Sequence, residues 1–389
     1  MTTLLALVLL MGATPATSAQ CLGWSGFGDP VRYSVTADQA LLIADLDGDG
    51  AAEIITSGNQ VEELGTFSIL RNRGDGTFAP EQLLASNFGE RVEALGDLDA
   101  DGVADLVVSN YWSNGIAVYK GKGGLTFEAG VPYQTATHGG PSMILDYDGD
   151  GIPDVVSLSY GSGNPVRVHF FRGHGDGTLG AKTTIDTTLG NGASPSVRTI
   201  NGALEILVSE RFGDLGVLHF AGGILSVSRI GAGPGFDLAS AFADLNGDGV
   251  ADIVNANDTE SDGASPGEPI FVRLGNADGT FGELRQIGST RHVGLPVTLR
   301  VTDLDGDGHP DLVASDFQAS TLFLFRGDGE GNFAAGVAVN AGGPVNRFEV
   351  ADVNGDGRPD IVTVNNDHSV SVLINRGACS TPRRRASGR

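Results

Sequence analysis

Cysteine is almost missing: Cys21 and Cys379 are the only two in 389 residues. A disulfide-dense scaffold and a cysteine-rich zinc site are both excluded. The pair lies near the two ends of the chain. In an exported protein it reads most simply as one disulfide joining the termini, with two unpaired thiols as the other reading. Basic residues are also scarce, 24 Lys and Arg against 48 Asp and Glu, for a net charge of −24. Such a surface excludes nucleic acid as a partner. Long apolar runs are lacking apart from Leu4–Met11, which is too short to span a bilayer. It reads as the core of a signal peptide over residues 1–19, cleaved after Ala19, although no charged side chain precedes it. Gln20 makes lipoprotein processing at Cys21 a poor fit. The expected location is secreted or extracellular, with the periplasm or cell surface as variants, and no transmembrane segment follows. Chemistry is thin as well. There is no H-E-x-x-H and no catalytic cysteine, and the seven histidines show no ligand spacing. An enzyme is not expected.

Glycine and acidic residues are abundant, and they recur together. Asp45-Leu-Asp-Gly-Asp-Gly-Ala-Ala-Glu53 reads D-x-D-x-D-G-x-x-E. Further copies begin at Asp97, Asp146, Asp244, Asp303 and Asp352. One interval spans two periods, so seven units of about 50 residues fill residues 38–377, and the unit near residue 195 lacks the loop.

Three acids at positions 1, 3 and 5 of a tight loop repel unless something compensates them. A hard divalent cation with oxygen ligands does so, and a flexible all-oxygen loop favours Ca²⁺ over zinc or Mg²⁺. The predicted ligands, in nine-residue register, are as follows. The first loop offers Asp45, Asp47, Asp49, Ala51 and Glu53. The second offers Asp97, Asp99, Asp101, Val103 and Asp105. The third offers Asp146, Asp148, Asp150, Ile152 and Asp154. The fifth unit offers Asp244, Asn246, Asp248, Val250 and Asp252. The sixth offers Asp303, Asp305, Asp307, His309 and Asp311. The seventh offers Asp352, Asn354, Asp356, Arg358 and Asp360. Position 7 is indifferent to side chain, which fits ligation by its carbonyl. Position 6 is always glycine, which fits a turn at positive φ. About six structural Ca²⁺ are expected. Six divalent ions add +12 and would halve the net charge of −24; the same loops hold 22 of the 48 acidic residues.

An EF-hand is excluded. Position 12 reads Thr56, Val108, Ser157, Asn255, Ala314 and Thr363, never a bidentate Glu. The flanks, such as Ala40–Ala44 and Ile54–Ser57, are short apolar strands. Each unit therefore reads strand, acidic loop, strand, loop, strand, turn, strand. In the second unit the strands are expected at 91–95, 105–109, 115–120 and 126–133. A second signature, Gly74-Asp-Gly-Thr-Phe78 and its relatives at 175–178, 277–281 and 329–333, marks the turn before the fourth strand. In the loopless unit, Val197–Ile200, Asn201-Gly202 and Ala203–Val208 read as a hairpin. The last unit lacks its fourth strand, and Pro30–Thr36 supplies it, closing a ring. The fold class is all-β, a ring of seven four-stranded sheets over residues 20–379, followed by a basic tail at 380–389.

With both signatures in place, the chain resembles the FG-GAP/VCBS repeat family over residues 29–377. The resemblance implies a seven-bladed β-propeller like the head of integrin α subunits. It implies metal loops on one face and partner contacts on the other. Carried over, the partner face would include Tyr111, Trp112, Tyr160, Arg211, Phe212, Arg291, His292, Phe317 and the Asn255–Pro269 insertion. The implied role is a monomeric adhesion-type module that binds a protein or a cell-surface glycan. A lectin-like polysaccharide binder is the alternative, with a polysaccharide lyase as a weaker one. Two Arg-Gly-Asp tripeptides, at Arg73 and Arg326, fall in the Asp-Gly turns, whose chemistry already explains them.

Overall fold

A computed structural model describes residues 26–377, apart from 59–65, 87–90, 111–113, 136–137, 160–164, 191, 201–202, 211–213, 222–223, 235, 259–267, 291–297 and 316–318. The expected signal peptide, both cysteines and the basic tail lie outside the described residues.

The described residues form seven four-stranded antiparallel sheets. The chain opens with β1 (Val31–Ser34). Blade 1 is β2 (Ala40–Ala44), β3 (Glu53–Gly58), β4 (Thr66–Leu70) and β5 (Gln82–Ala85). Blade 2 is β6 (Arg91–Gly96), β7 (Asp105–Asn110), β8 (Gly115–Tyr119) and β9 (Val131–Gln134). Blade 3 is β10 (Gly139–Leu145), β11 (Asp154–Ser159), β12 (Arg167–Phe171) and β13 (Thr183–Asp186). Blade 4 is β14 (Gly192–Ile200), β15 (Ala203–Glu210), β16 (Asp214–Ala221) and β17 (Ile224–Gly231). Blade 5 is β18 (Phe236–Ala243), β19 (Asp252–Asp258), β20 (Glu268–Arg273) and β21 (Arg285–Thr290). Blade 6 is β22 (Leu299–Thr302), β23 (Asp311–Ser315), β24 (Thr321–Phe325) and β25 (Val337–Asn340). Blade 7 is β26 (Val345–Ala351), β27 (Asp360–Asn365) and β28 (Ser369–Leu373), completed by β1.

The first strand of every blade lines one central channel of about 680 Å³. First strands of successive blades touch, and β2 meets β26, so the ring closes. Second strands are buried along their whole length, as in β3, β11 and β27. That explains their near-continuous apolar runs. Fourth strands alternate or face water, as in β9 and β25. The apolar cores sit at the seams. One cluster joins Ile54, Leu70 and Phe78 of blade 1 to Val362, Val370 and Val372 of blade 7. Another joins Ile55 and Phe67 of blade 1 to Leu106 and Tyr119 of blade 2. No blade buries its apolar faces alone, which is the physical reason such repeats come as a closed set.

Ring closure follows the sequence reading. Val31, Arg32, Tyr33 and Ser34 pair with Val372, Ser371, Val370 and Ser369. Tyr33 then reaches across the seam: its ring meets Phe78 edge-on at 5.6 Å, and its hydroxyl accepts the Phe78 N–H at 3.2 Å. One expectation needs correction. The fourth strand of blade 2 begins at Val131, not Thr126. Phe127 instead makes an isolated bridge to Gly121, as Phe78 does to Asn72 and Phe333 to Gly327. The aromatic after the tight turn closes a small loop of its own, and the chain then crosses to a separate outer strand. In blade 4, Ile200 pairs directly with Ala203, as the hairpin reading requires, though Asn201 and Gly202 themselves lie outside the described residues.

The closing strand yields a prediction. Tyr33→Phe leaves the Phe78 N–H without its acceptor and should cost about 1 kcal/mol. Tyr33→Ala also removes the ring pair and should cost about 2–3 kcal/mol. Urea denaturation of the two variants tests this; equal stability of Tyr33→Ala and wild type would show that the last seam does not depend on Tyr33.

Candidate metal centre

Antiparallel order puts the turn between first and second strands and the turn between third and fourth strands on the same rim. The six acidic loops occupy the first of these turns in blades 1, 2, 3, 5, 6 and 7. Each loop is held by its own carboxylates. The position 1 aspartate accepts the N–H of the position 6 glycine at 2.7–2.9 Å, in all six copies from Asp45–Gly50 to Asp352–Gly357. The position 5 aspartate accepts the position 7 N–H at 2.8–2.9 Å. This bond uses only backbone at position 7, which accounts for the mix of Ala51, Val103, Ile152, Val250, His309 and Arg358. The position 6 glycines have φ between 81° and 88°, as the sequence implied.

A second residue, at position 4, also turns left-handed. It is glycine in five loops, but in blade 2 it is Ala100 at φ 59°. A Cβ there is strained.

The position 9 acids do more than their ligand assignment anticipated. Glu53, Asp105, Asp154, Asp252, Asp311 and Asp360 are buried, at 0–1 % exposure. One oxygen accepts the N–H of position 2, at 2.8–3.1 Å. The other accepts an N–H two residues beyond the third strand, from Asn72, Gly121, Gly173, Gly275, Gly327 or Asn375, at 2.7–3.3 Å. Each acid therefore ties its loop to the far side of its own blade. Burial raises all six carboxyls above their ordinary range, Asp311 and Asp360 to about 6, despite those bonds. A cation beside these groups would favour their charged form.

The donor set fits a hard cation. One oxygen each from Asp45, Asp47 and Glu53 lies within 4.8 Å of the others. The same holds for Asp146, Asp148 and Asp154, for Asp303, Asp305 and Asp311, and for Asp97, Asp99 and Asp101. Basic side chains already seek these oxygens: Arg326 lies 2.7 Å from Asp305 and 2.7 Å from Asp307.

Sequence reasoning missed the residue two beyond the third strand. It is Gly121, Gly173, Gly275 or Gly327 in four blades. A Cβ on Gly327 would lie 1.9 Å from the Pro310 carbonyl oxygen. Asn72 and Asn375 fit in the remaining two. The Asn72 amide donates to Ala52 O in its own blade and to Val353 O in blade 7. The alternation of Gly and Asn at this spacing was the available signal. The residues carried over to the partner face, Tyr111, Trp112, Tyr160, Arg211, Phe212, Arg291, His292 and Phe317, all lie outside the described residues, as does most of the 255–269 insertion. Gly263–Gly267 spells G-x-S-x-G, but it connects two strands, β19 and β20, rather than a strand and a helix. These residues lie outside the described ones.

Two stability predictions follow from the loop geometry. Ala100→Gly should stabilise by about 0.5–1 kcal/mol, because the left-handed cost exceeds the added chain entropy. Asp303→Ala frees the N–H groups of Gly306 and Gly308 and should cost about 1–3 kcal/mol while the other blades stay formed. Thermal melts read both, and an unchanged melting temperature for Asp303→Ala would count against any organising role for that loop.

Comparison with known proteins agrees with this geometry. A model of the FG-GAP-like repeat matches residues 45–108, 97–157, 146–200 and 303–363, more than half of the chain. Integrin alpha-4 of Xenopus laevis is 27% identical over 150 residues, a match that spans 33% of this chain and 14% of that protein. Among solved structures, a lectin from Agrocybe aegerita, described by its recognition of non-reducing terminal N-acetylglucosamine, aligns at TM-score 0.57. It is 23% identical, with 88% of this chain and 86% of that one covered. The WD40 domain of coronin from Toxoplasma gondii aligns at TM-score 0.60 and 10% identity, over 89% of this chain and 86% of that one. Sequence repeats, blade topology and ring closure converge: the chain belongs to the FG-GAP-like repeat family and has the seven-bladed architecture of an integrin-alpha-like β-propeller.

Proposed function

We propose that this chain is an exported, calcium-stabilised binding module that engages a protein partner through the rim opposite its acidic loops. The observation that carries the reading is the set of six carboxylate loops on one rim, each ending in a buried acid, with three acids of one loop within 4.8 Å of one another in blades 1, 2, 3 and 6. About six Ca²⁺ would be held by positions 1, 3, 5 and 9 and the position 7 carbonyl. Their work is structural, since every loop ties two strands of a blade together. Similarity to an integrin alpha chain supports an adhesion-type role rather than catalysis. Export is supported by the apolar Leu4–Met11 segment. The proposed Cys21–Cys379 bridge is supported by the pairing of nearby residues: Arg376 N–H donates to Gly26 O at 2.6 Å, and Phe27 bridges Asn375.

The similarity to a lectin supports a second reading, a glycan partner. The two separate cleanly. Calcium-loaded protein is applied to cells with and without enzymatic removal of surface glycans, and to a glycan array. Binding that survives deglycosylation supports the protein partner. Binding that is lost on deglycosylation and recovered on the array replaces it with the lectin reading.

Metal content by mass spectrometry, with melting scans in calcium and in EDTA, tests the ions directly. About six Ca²⁺ per chain and a large fall in melting temperature in EDTA are expected; no calcium and no shift would refute structural calcium. The pH dependence has a definite sign. A carboxyl with a raised folded pKa stabilises the fold in its protonated form. That contribution is complete below about 3.8 and is lost as pH rises through about 6 for Asp311 and Asp360. Calcium needs the charged form. The calcium-induced rise in melting temperature should therefore shrink between pH 7 and pH 5, and a constant rise across that window would contradict the assignment of these acids.

A further inference from the structure

The residue that immediately follows the third strand of each metal-loop blade is of two kinds. It is Arg71, Lys120, Arg172 or Arg326 in blades 1, 2, 3 and 6, and Leu274 or Ile374 in blades 5 and 7. The four cations all reach the acid at position 3 of their own loop. Arg71 lies 2.6 Å from Asp47, Lys120 2.6 Å from Asp99, Arg172 3.1 Å from Asp148 and Arg326 2.7 Å from Asp305. Three of them also reach position 5: Arg71 at 3.5 Å from Asp49, Arg172 at 2.5 Å from Asp150 and Arg326 at 2.7 Å from Asp307. In the two blades with Leu or Ile, position 3 is Asn246 or Asn354, not Asp. Cation and position 3 acid are thus present together or absent together.

Lys120 occupies the same place as Leu274 and Ile374. A Cβ on the turn glycine of the next blade would meet Lys120 Cδ, Leu274 Cδ2 or Ile374 Cδ1, each at 2.7 Å, from Gly177, Gly331 and Gly76 respectively. So each of these three side chains packs its aliphatic part against the neighbouring blade, and only the head differs. Blade 7 has one other cation near its loop, Arg358 at position 7, which lies 3.2 Å from Asp356.

We propose that the strand-end cation is a tethered counter-ion that holds four of the loops in shape without calcium and opposes calcium when it binds, so that the propeller carries two classes of metal loop. The inference rests on the calcium reading above. The physics is direct. An arginine head bonded to two ligand acids, or the lysine head bonded to one, offsets part of their mutual repulsion, and it cross-links the loop to the third strand. An arriving Ca²⁺ must share those oxygens with it. The loops of blades 5 and 7 have one acid fewer and no strand-end cation, so their remaining carboxylates are balanced by the ion itself. Exposed ion pairs are weak singly, but here the acids are the exposed-rim ligands of one site and are held within a few ångströms of each other.

Hydrogen–deuterium exchange of the full chain, read peptide by peptide in EDTA and across a range of free calcium, tests this. In EDTA, residues 244–252 and 352–360 of the wild type should exchange faster than 45–53, 97–105, 146–154 and 303–311. Arg326→Leu should move 303–311 into the fast group. It should also lower the calcium concentration that protects this loop by about three- to tenfold, the scale of one neighbouring charge in a largely solvated site. Arg326→Lys, which copies blade 2, should restore wild-type behaviour, and Asp305→Asn combined with Arg326→Leu should make the loop behave like blade 5. Arg326 is half exposed, so these variants leave the core untouched. Loop 303–311 exchanging as in wild type in Arg326→Leu, with protection at the same calcium concentration, would overturn the proposal. If calcium protects no loop of the wild type, the calcium reading itself fails, and that result is visible without any variant.

Discussion

Six carboxylates buried at the starts of second strands set the terms for the whole molecule. Glu53, Asp105, Asp154, Asp252, Asp311 and Asp360 have almost no solvent exposure. A carboxylate in that position must be satisfied by donors, by an opposite charge or by a proton. Two backbone N–H groups satisfy it in part and, in the same step, fix the acidic loop against the exit of the third strand. The acid is therefore both a ligand candidate and the pin of the blade. In blades 1, 3 and 6 the same group also stands within 4.8 Å of two further acids of its loop.

Blade 4 shows what the ring needs when the loop is removed. Its inner strands join through a hairpin, and its third and fourth strands are longer than those of the other blades. The seam to blade 5 is held by a permanent organic cation instead of a loop. Arg198 pairs with the buried Glu205, Nε to Oε2 at 2.6 Å, and Glu205 also bonds His219 Nδ1 at 2.5 Å. The same guanidinium lies 4.5 Å from the Phe242 ring and 4.7 Å from the Phe281 ring. It donates to the Ala251 carbonyl, at position 8 of the blade 5 loop, at 2.8 Å. Asn72 makes the corresponding kind of tie between blades 1 and 7. Side-chain donors on neighbouring carbonyls are thus the common device at the seams.

Much of this was legible in the sequence because it is written in short range. Glycine at position 6, indifference at position 7 and apolar runs after position 9 are consequences of backbone geometry within nine residues. The repeat then multiplied a weak local signal until the blade count and the closing strand followed. What stayed hidden depends on distance along the chain. The two-fold bonding of Asp311 joins residues 304 and 327, and the pairing of Arg326 with Asp305 joins a strand end to a loop 21 residues earlier. The only trace of such contacts in the repeat is the Gly or Asn that recurs two residues beyond the third strand. The outer strand of blade 2 was misplaced because Thr126-Phe127 has strand composition, while Phe127 serves a bridge to Gly121 and leaves the sheet to Val131. The partner-face residues rest on the resemblance alone, and no local chemistry marks them.

The two rims of the ring are unequal in a way that bears on function. The charged ties from the position 9 acids to the strand-end cations lie on the rim where first and third strands end. The apolar clusters run through the seams beneath it, and each is shared by two blades. Among the described residues, a disturbance at one loop therefore bears first on the two flanking seams. The opposite rim takes no part in these ties. Its connections vary in length, from the short link around residues 111–113 to the insertion between β19 and β20, without cost to the rim that holds the blades. The opposite rim carries ties of its own, among them Arg32–Asp367 at 2.6 Å and Arg229–Glu210 at 2.8 Å. The acidic-loop rim keeps one geometry in six blades while the connections on the other rim differ in length.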